Sequence, residues 1–185
     1  MKKVIFLVVI ALVSIGLLSG CGGGSAIKGK DLLRDKAAIK EMLKEMKEKG
    51  GTPLMLFQHV NVSSDFVNFT RQDQKKPENV DNFVWTANTG WQGPKPVKLT
   101  GSGKLEDNLY NADEVNWEAI PDFVANAEKK AKEEGIEKAK IDGIQVYFSV
   151  REQKLSFSGT IKGERKDASV NGDIKTGAVT YFKVR

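Results

Sequence analysis

The sequence predicts an α+β protein built as two tandem helix-plus-four-stranded antiparallel sheet units packed together. Three observations predict it. The stretches 31–49 and 117–134 carry apolar residues at steps of three and four, the period of a half-buried helix. Each stretch is followed by short runs of β-branched and aromatic residues separated by turn clusters. The two series also keep one register: Gly50 corresponds to Gly135, and Thr89-Gly90 to Thr176-Gly177, each offset being about 86 residues. The first unit is placed at 31–105 and the second at 106–185.

The first helix is expected over Asp31–Lys49. Leu32, Ala38, Ile39, Met42, Leu43 and Met46 make its stripe. Asp31 and Asp35 suit its positive end, and Lys47 and Lys49 its negative end. Glu41, Lys44, Glu45 and Lys49 are expected to pair on the wet side, and Gly50-Gly51 to stop the helix. Four strands are expected next, at 54–62, 66–71, 80–87 and 96–100, with Ser63-Ser64-Asp65 as a hairpin turn. In the third run Phe83, Trp85 and Ala87 share a face.

The second helix is expected over Pro121–Glu134, because proline is tolerated in a first turn where its missing N–H costs nothing. Trp117, Ile120, Val124, Ala127 and Ala131 form its stripe, and Gly135 ends it. Strands are expected at 140–150, 154–161, 167–174 and 178–184. Ile144, Val146 and Phe148 alternate with Gln145, Tyr147 and Ser149, and Leu155 and Phe157 with Ser156 and Ser158.

Ahead of both units, Lys2-Lys3 precedes an apolar run from Val4 to Val13, the layout of an export signal too short for a stable span. Leu18-Ser19-Gly20-Cys21 resembles the lipobox of bacterial lipoproteins. That resemblance implies signal peptidase recognition at Leu18, Ser19 and Gly20, a diacylglyceryl group on the Cys21 sulfur, cleavage before Cys21, and acylation of the new amino group. Several acyl chains on one residue would give stable membrane anchoring. The other reading is an ordinary secretory signal with a chance cysteine. Gly22 stands where enteric lipoproteins retained in the inner membrane carry aspartate, which favours outer-membrane residence. Residues 21–30, rich in glycine, read as a flexible tether of roughly 15–18 Å. Lys28 and Lys30 could touch anionic headgroups or merely solubilise the linker.

With one cysteine in 185 residues, the body cannot rest on an internal disulfide. Removing Lys2 and Lys3 with the leader lowers the formal charge from +5 to +3, and the remaining charges are well mixed. That is not the footprint of a nucleic-acid binder. The element order of residues 31–185 resembles the tandem helix-and-sheet repeats of beta-lactamase inhibitor protein and of PepSY-like exported domains. The resemblance implies a binding or inhibitory module without catalytic machinery.

Residues that could carry chemistry are few. His59 is the sole histidine. Ser63 and Ser64 lie near it in sequence, but in a turn where serine is expected anyway. Zinc wants several Cys or His ligands, so no metal or other cofactor is expected. Gly101-Ser-Gly-Lys104 fails the phosphate-loop pattern at Lys98 and Leu105. Glu106, Asp107, Asp113 and Glu114 lie between the units and read as solvated acids, Asp113 being a candidate cap for the second helix.

The aromatics say more. Trp117 and Trp85 read as core. Trp91, on the loop Thr89–Pro94, is either an exposed anchor at a binding hot spot or a lid over the end of the sheet. The leading expectation is therefore an envelope lipoprotein that binds another protein and is not an enzyme. The alternative is a binder of small ligands or envelope polymer through Trp85 and Trp91. A pocket lined by both indoles favours the alternative, a flat exposed sheet face favours the first, and a cleft holding His59 beside two acids would favour catalysis.

Overall fold

A computed structural model describes residues 25–101 and 103–185. The export leader, Leu18, Ser19, Gly20, Cys21 and the start of the tether lie outside the described residues. Two α-helices and ten strands follow in the order α1 (Lys36–Gly50), β1 (Met55–Phe57), β2 (His59–Ser63), β3 (Phe66–Gln72), β4 (Val80–Thr86), β5 (Gly90–Pro96), β6 (Leu109–Asn111), α2 (Ile120–Glu133), β7 (Lys140–Ser149), β8 (Lys154–Lys162), β9 (Ala168–Gly172) and β10 (Val179–Val184). The protein is α+β, as expected.

All ten strands join one antiparallel sheet. β1 and β2 lie along β3, interrupted at Gln58, whose φ is 57°. β3 pairs on with β4, and β4 with the edge strand β5. On the other flank of β2 lies β7, with Val60 opposite Val146 and Val62 opposite Ile144. From β7 the sheet continues through β8 and β9 to the second edge, β10. Both strand series thus start at the centre and meander outward. One sheet holds both strand series.

Alternation fixes which side is dry. Val60, Val67, Phe69, Trp85, Val146 and Phe157 are fully buried, and with Ile39, Met42, Met46 and Phe123 they form one apolar core beneath both helices. A side-chain period of two sends every other residue of these strands to the opposite face. Phe69 stacks on Phe83 at 5.1 Å, and Phe123 on Phe157 at 5.4 Å. Ion pairs tie the two helical regions: Lys36 of α1 to Asp122 of α2 (2.7 Å), Lys40 of α1 to Glu118 in the turn before α2 (3.2 Å), and Arg34 in the turn before α1 to Glu128 of α2 (2.6 Å). Such exposed pairs set orientation more than stability.

Several expectations need correction. α1 begins at Lys36, not Asp31, because the Asp35 carboxylate accepts from the Ala37 and Ala38 N–H groups and caps the helix there. Residues 31–34 form a turn that buries Leu32 and Leu33. The tether is not free to residue 30: Ile27 is fully buried against the body. The run 54–62 is two strands. The strand expected at 96–100 lies instead at Gly90–Pro96, so Trp91 sits in a strand and not a loop. Proline and glycine are tolerated there because β5 is an edge. At Gly93, with φ 114°, a Cβ would lie 2.6 Å from the Asn82 carbonyl oxygen, so the strand takes only glycine at that point.

The boundary at 105/106 also moves. β6 pairs with β1, Met55 opposite Asn111 and Phe57 opposite Leu109, so part of the second segment completes the first. Asp113 does not cap α2. It lies in a 3-10 turn capped by Asn111 and pairs with Lys47 at 2.6 Å.

Candidate functional site

The face of the sheet away from the helices is polar and open. Strand register places Asn171, Ser158, Gln145, Asn61 and Asn68 side by side across β9, β8, β7, β2 and β3. Tyr181 stands next to Asn171 at the β10 end. Each residue of this row is uncharged, and each offers hydrogen-bonding groups. The row is partly self-satisfied: Gln145 Nε2 donates to Asn61 Oδ1 at 2.9 Å. Asn82 Nδ2 lies within 3.2 Å of Asn68 Oδ1 and 3.1 Å of Thr70 Oγ1, extending the polar surface onto β4.

Two tyrosines rise from this face. Tyr147 is 39% exposed and Tyr181 46%. The Tyr147 ring stacks on His59, its cross-strand neighbour, with centroids 5.6 Å apart. Burial holds the His59 pKa below its usual value, and its buried Nδ1 has no hydrogen-bond partner among the described residues. A shallow polar hollow of about 480 Å³ opens beside Tyr147, walled by Ser156, Asn171 and Thr180. Rigid strands, amide and hydroxyl groups and half-exposed tyrosines make a surface that binds at low conformational cost.

A second concavity, of about 600 Å³, lies at the α1 edge between Glu41, Lys44 and the Thr86–Gly90 turn, and both Trp85 and Trp91 line it. Trp85 is fully buried and forms part of its floor. Trp91 is half-buried, packs edge-on against Phe69 at 5.8 Å, and donates from Nε1 to Glu45 Oε2 at 2.6 Å. The sequence alternative of a lid at the sheet is the one adopted, and Trp91 is no exposed anchor. Glu45, expected on the wet side, is instead 9% exposed. Its carboxylate also accepts from Ser25 Oγ at 2.7 Å and from the Ala26 N–H at 2.7 Å. Three donors on one carboxylate satisfy a charge that burial would otherwise penalise.

The remaining candidates are not brought together. His59 and Ser63 occupy opposite ends of β2, about 13 Å apart at a strand's rise per residue. Ser63 Oγ donates to Asp65. Glu114 accepts from the Asn111 N–H in a capping box, while Asp113 serves Lys47. No group of three or more His, Cys, Asp or Glu side chains clusters as for a metal ion among the described residues.

The polar row was half visible in the sequence, since alternation put Gln145, Tyr147, Ser156 and Ser158 on one face. Their alignment with Asn61 and Asn68 depends on the pairing of β2 with β7, which no local pattern announces. Nothing local marks Glu45 either: a glutamate among lysines reads as solvent-facing.

No protein-family model matches the chain. Probable lipoprotein EnvF of Salmonella typhimurium is 30% identical over 111 residues, which cover 55% of this chain and 42% of that protein. The match therefore spans less than half of that relative. The crystal structure of CD1622 of Clostridium difficile 630, named as a lipoprotein, superposes with a TM-score of 0.56 at 12% identity, covering 88% of this chain and 99% of that one. At such identity the likeness is one of fold. The name of the Salmonella relative supports a lipoprotein of the cell envelope. Among the described residues no helix is long and apolar enough to cross a membrane.

Proposed function

We propose that this protein is an envelope lipoprotein, acylated at Cys21 and exported through the Leu18-Ser19-Gly20-Cys21 lipobox, whose body is a non-catalytic module that binds another protein. The observation that carries the binding role is the uncharged row Asn171, Ser158, Gln145, Asn61, Asn68 with its flanking Tyr147 and Tyr181. Such a face offers a folded partner many donors and acceptors and two stiff amphipathic rings, with the charged side chains, Lys154 and Asp173 at one end and Lys162 and Arg185 at the other, set at its margins. The dispersal of His59, the serines and the acids supports a role without catalysis. The outward meander of strands after each helix supports two related helix-and-sheet units in the manner of the PepSY-like and beta-lactamase-inhibitor-protein repeats. Gly22 supports outer-membrane residence in an organism with two membranes.

The test is affinity capture from the native envelope with wild type and with the double variant Gln145→Ala/Tyr147→Ala, both side chains being on the open face. Recovery of one stoichiometric partner with wild type, lost with the variant, supports the reading. A partner retained equally by both would sink it. A second reading, binding of a small ligand or envelope polymer, is favoured by the hollow lined by Trp85 and Trp91. Saturable quenching of tryptophan fluorescence by cell-wall fragments, with no protein partner recovered, would select it.

A further inference from the structure

Resting on the lipoprotein reading, we propose that one end of the sheet is a lipid-facing surface, held against the anionic headgroups of the membrane that receives the Cys21 acyl chains. The docked segment from Ser25 to Leu33 sets the geometry. Glu45 fixes Ser25 and Ala26, Ile27 and Leu32 are fully buried, and the Leu32 N–H donates to the Ser64 carbonyl in the β2–β3 turn. Four residue steps separate Cys21 from Ser25, and a fully extended chain spans at most about 14 Å over them. The body therefore cannot tumble freely about its anchor.

Strand register identifies what else shares that end. The Ala87 N–H donates to the Asp65 carbonyl, placing the β4–β5 turn beside the β2–β3 turn. Ser63 pairs with Gly143, Lys140 with Lys162, and Ile161 with Ala168, which brings the 163–167 turn to the same end. Lys28, Lys30, Arg165 and Lys166 are all exposed there and enter no ion pair among the described residues. The acids Asp31, Glu164 and Asp167 are engaged by Arg34, Lys138 and Lys162. Asp35, Asp65 and Glu137 carry opposing charge there, and Arg34 is shared between Asp31 and Glu128, so the attraction rests on the position of those four cations and not on a net surplus. Basic side chains within a Debye length of an anionic leaflet are attracted to it. In this arrangement the open face stands upright to the bilayer, accessible from the side.

The experiment uses the full acylated chain in vesicles of phosphatidylethanolamine and phosphatidylglycerol carrying a headgroup-attached quencher. With the Cys21 sulfur acylated, one introduced cysteine takes a fluorophore: Ser64→Cys or Asn88→Cys at the proposed lipid end, Lys76→Cys or Glu152→Cys at the other. The expected result is strong quenching at the first pair and loss of quenching at the second. Combined substitution of Lys28, Lys30, Arg165 and Lys166 by glutamate should weaken quenching at Ser64→Cys. Freeing the docked segment with Glu45→Ala should even out the two ends. Equal quenching at both ends of the unaltered protein overturns the proposal, as does indifference to the charge reversal. Mass analysis of the same sample separates the two readings: a bare Cys21 removes both, whereas acylated Cys21 with equal quenching removes the orientation alone.

Discussion

Glu45 is the residue on which the α1 edge turns. Its carboxylate holds the Trp91 indole from β5 and the Ser25 hydroxyl and Ala26 N–H from the chain ahead of the helix, so two distant segments share one acceptor on α1. A hydrogen bond to a charged group is worth roughly 1.5–3 kcal/mol net. Trp91→Phe keeps the contact with Phe69 but removes the donor. Urea denaturation is expected to show a loss of about 1–3 kcal/mol with the m-value unchanged. His59 makes a separate prediction. Because burial lowers its folded pKa, the unfolded chain binds the proton more readily. Stability is therefore full above about 6.5 and declines as pH falls below the unfolded value, levelling once the folded histidine also protonates. As the sole histidine, its NMR titration midpoint should lie below 6.5, and His59→Gln should lack this decline. Asp167 and Asp173 act in another window: hydrogen bonds from Lys162 and Thr176 lower their pKa values, so their contribution is lost only as pH falls through the acid range below 3.8.

At the level of elements, the long amphipathic segments were the legible ones. α2 starts within one residue of its expected position and β7 and β8 match closely, since period and turn chemistry are local properties. What could not be read depended on remote neighbours. β5 is poor in strand formers and exists because β4 offers it a ladder. Its register shift between Asn82 and Val84 accommodates the close approach at Gly93. The turn at 31–34 carries helical periodicity, yet the Asp35 cap starts the helix only after it. β9 shows a related dependence. Gly172 leaves no room for a side chain, because a Cβ there would enter the volume of the Phe123 ring. Gly172→Ala is expected to destabilise by about 1–3 kcal/mol through overpacking, measurable as a lowered thermal midpoint. Gly90→Ala, where a Cβ would meet no atom within 4 Å, serves as the comparison for glycine loss at a positive φ of 70°.

Across the whole molecule, the sheet is shared rather than divided. β2 has β3 on one side and β7 on the other, and β6 completes β1 from beyond the expected boundary. A fragment ending at residue 105 would bare both the β1 and the β2 flanks, along with apolar core otherwise covered by α2. It is expected to fail to give dispersed amide resonances, whereas residues 25–185 should unfold in one cooperative step by both circular dichroism and tryptophan fluorescence. The seam between β2 and β7 carries a further consequence. Its two strands lie far apart along the backbone, so for a chain delivered across a membrane amino end first, the middle of the sheet cannot close until the whole first strand series and α2 have emerged. Until Tyr147 emerges to meet His59, the leading half waits with a raw margin of backbone donors and acceptors, and whatever shelters that margin during delivery decides whether the protein matures or aggregates.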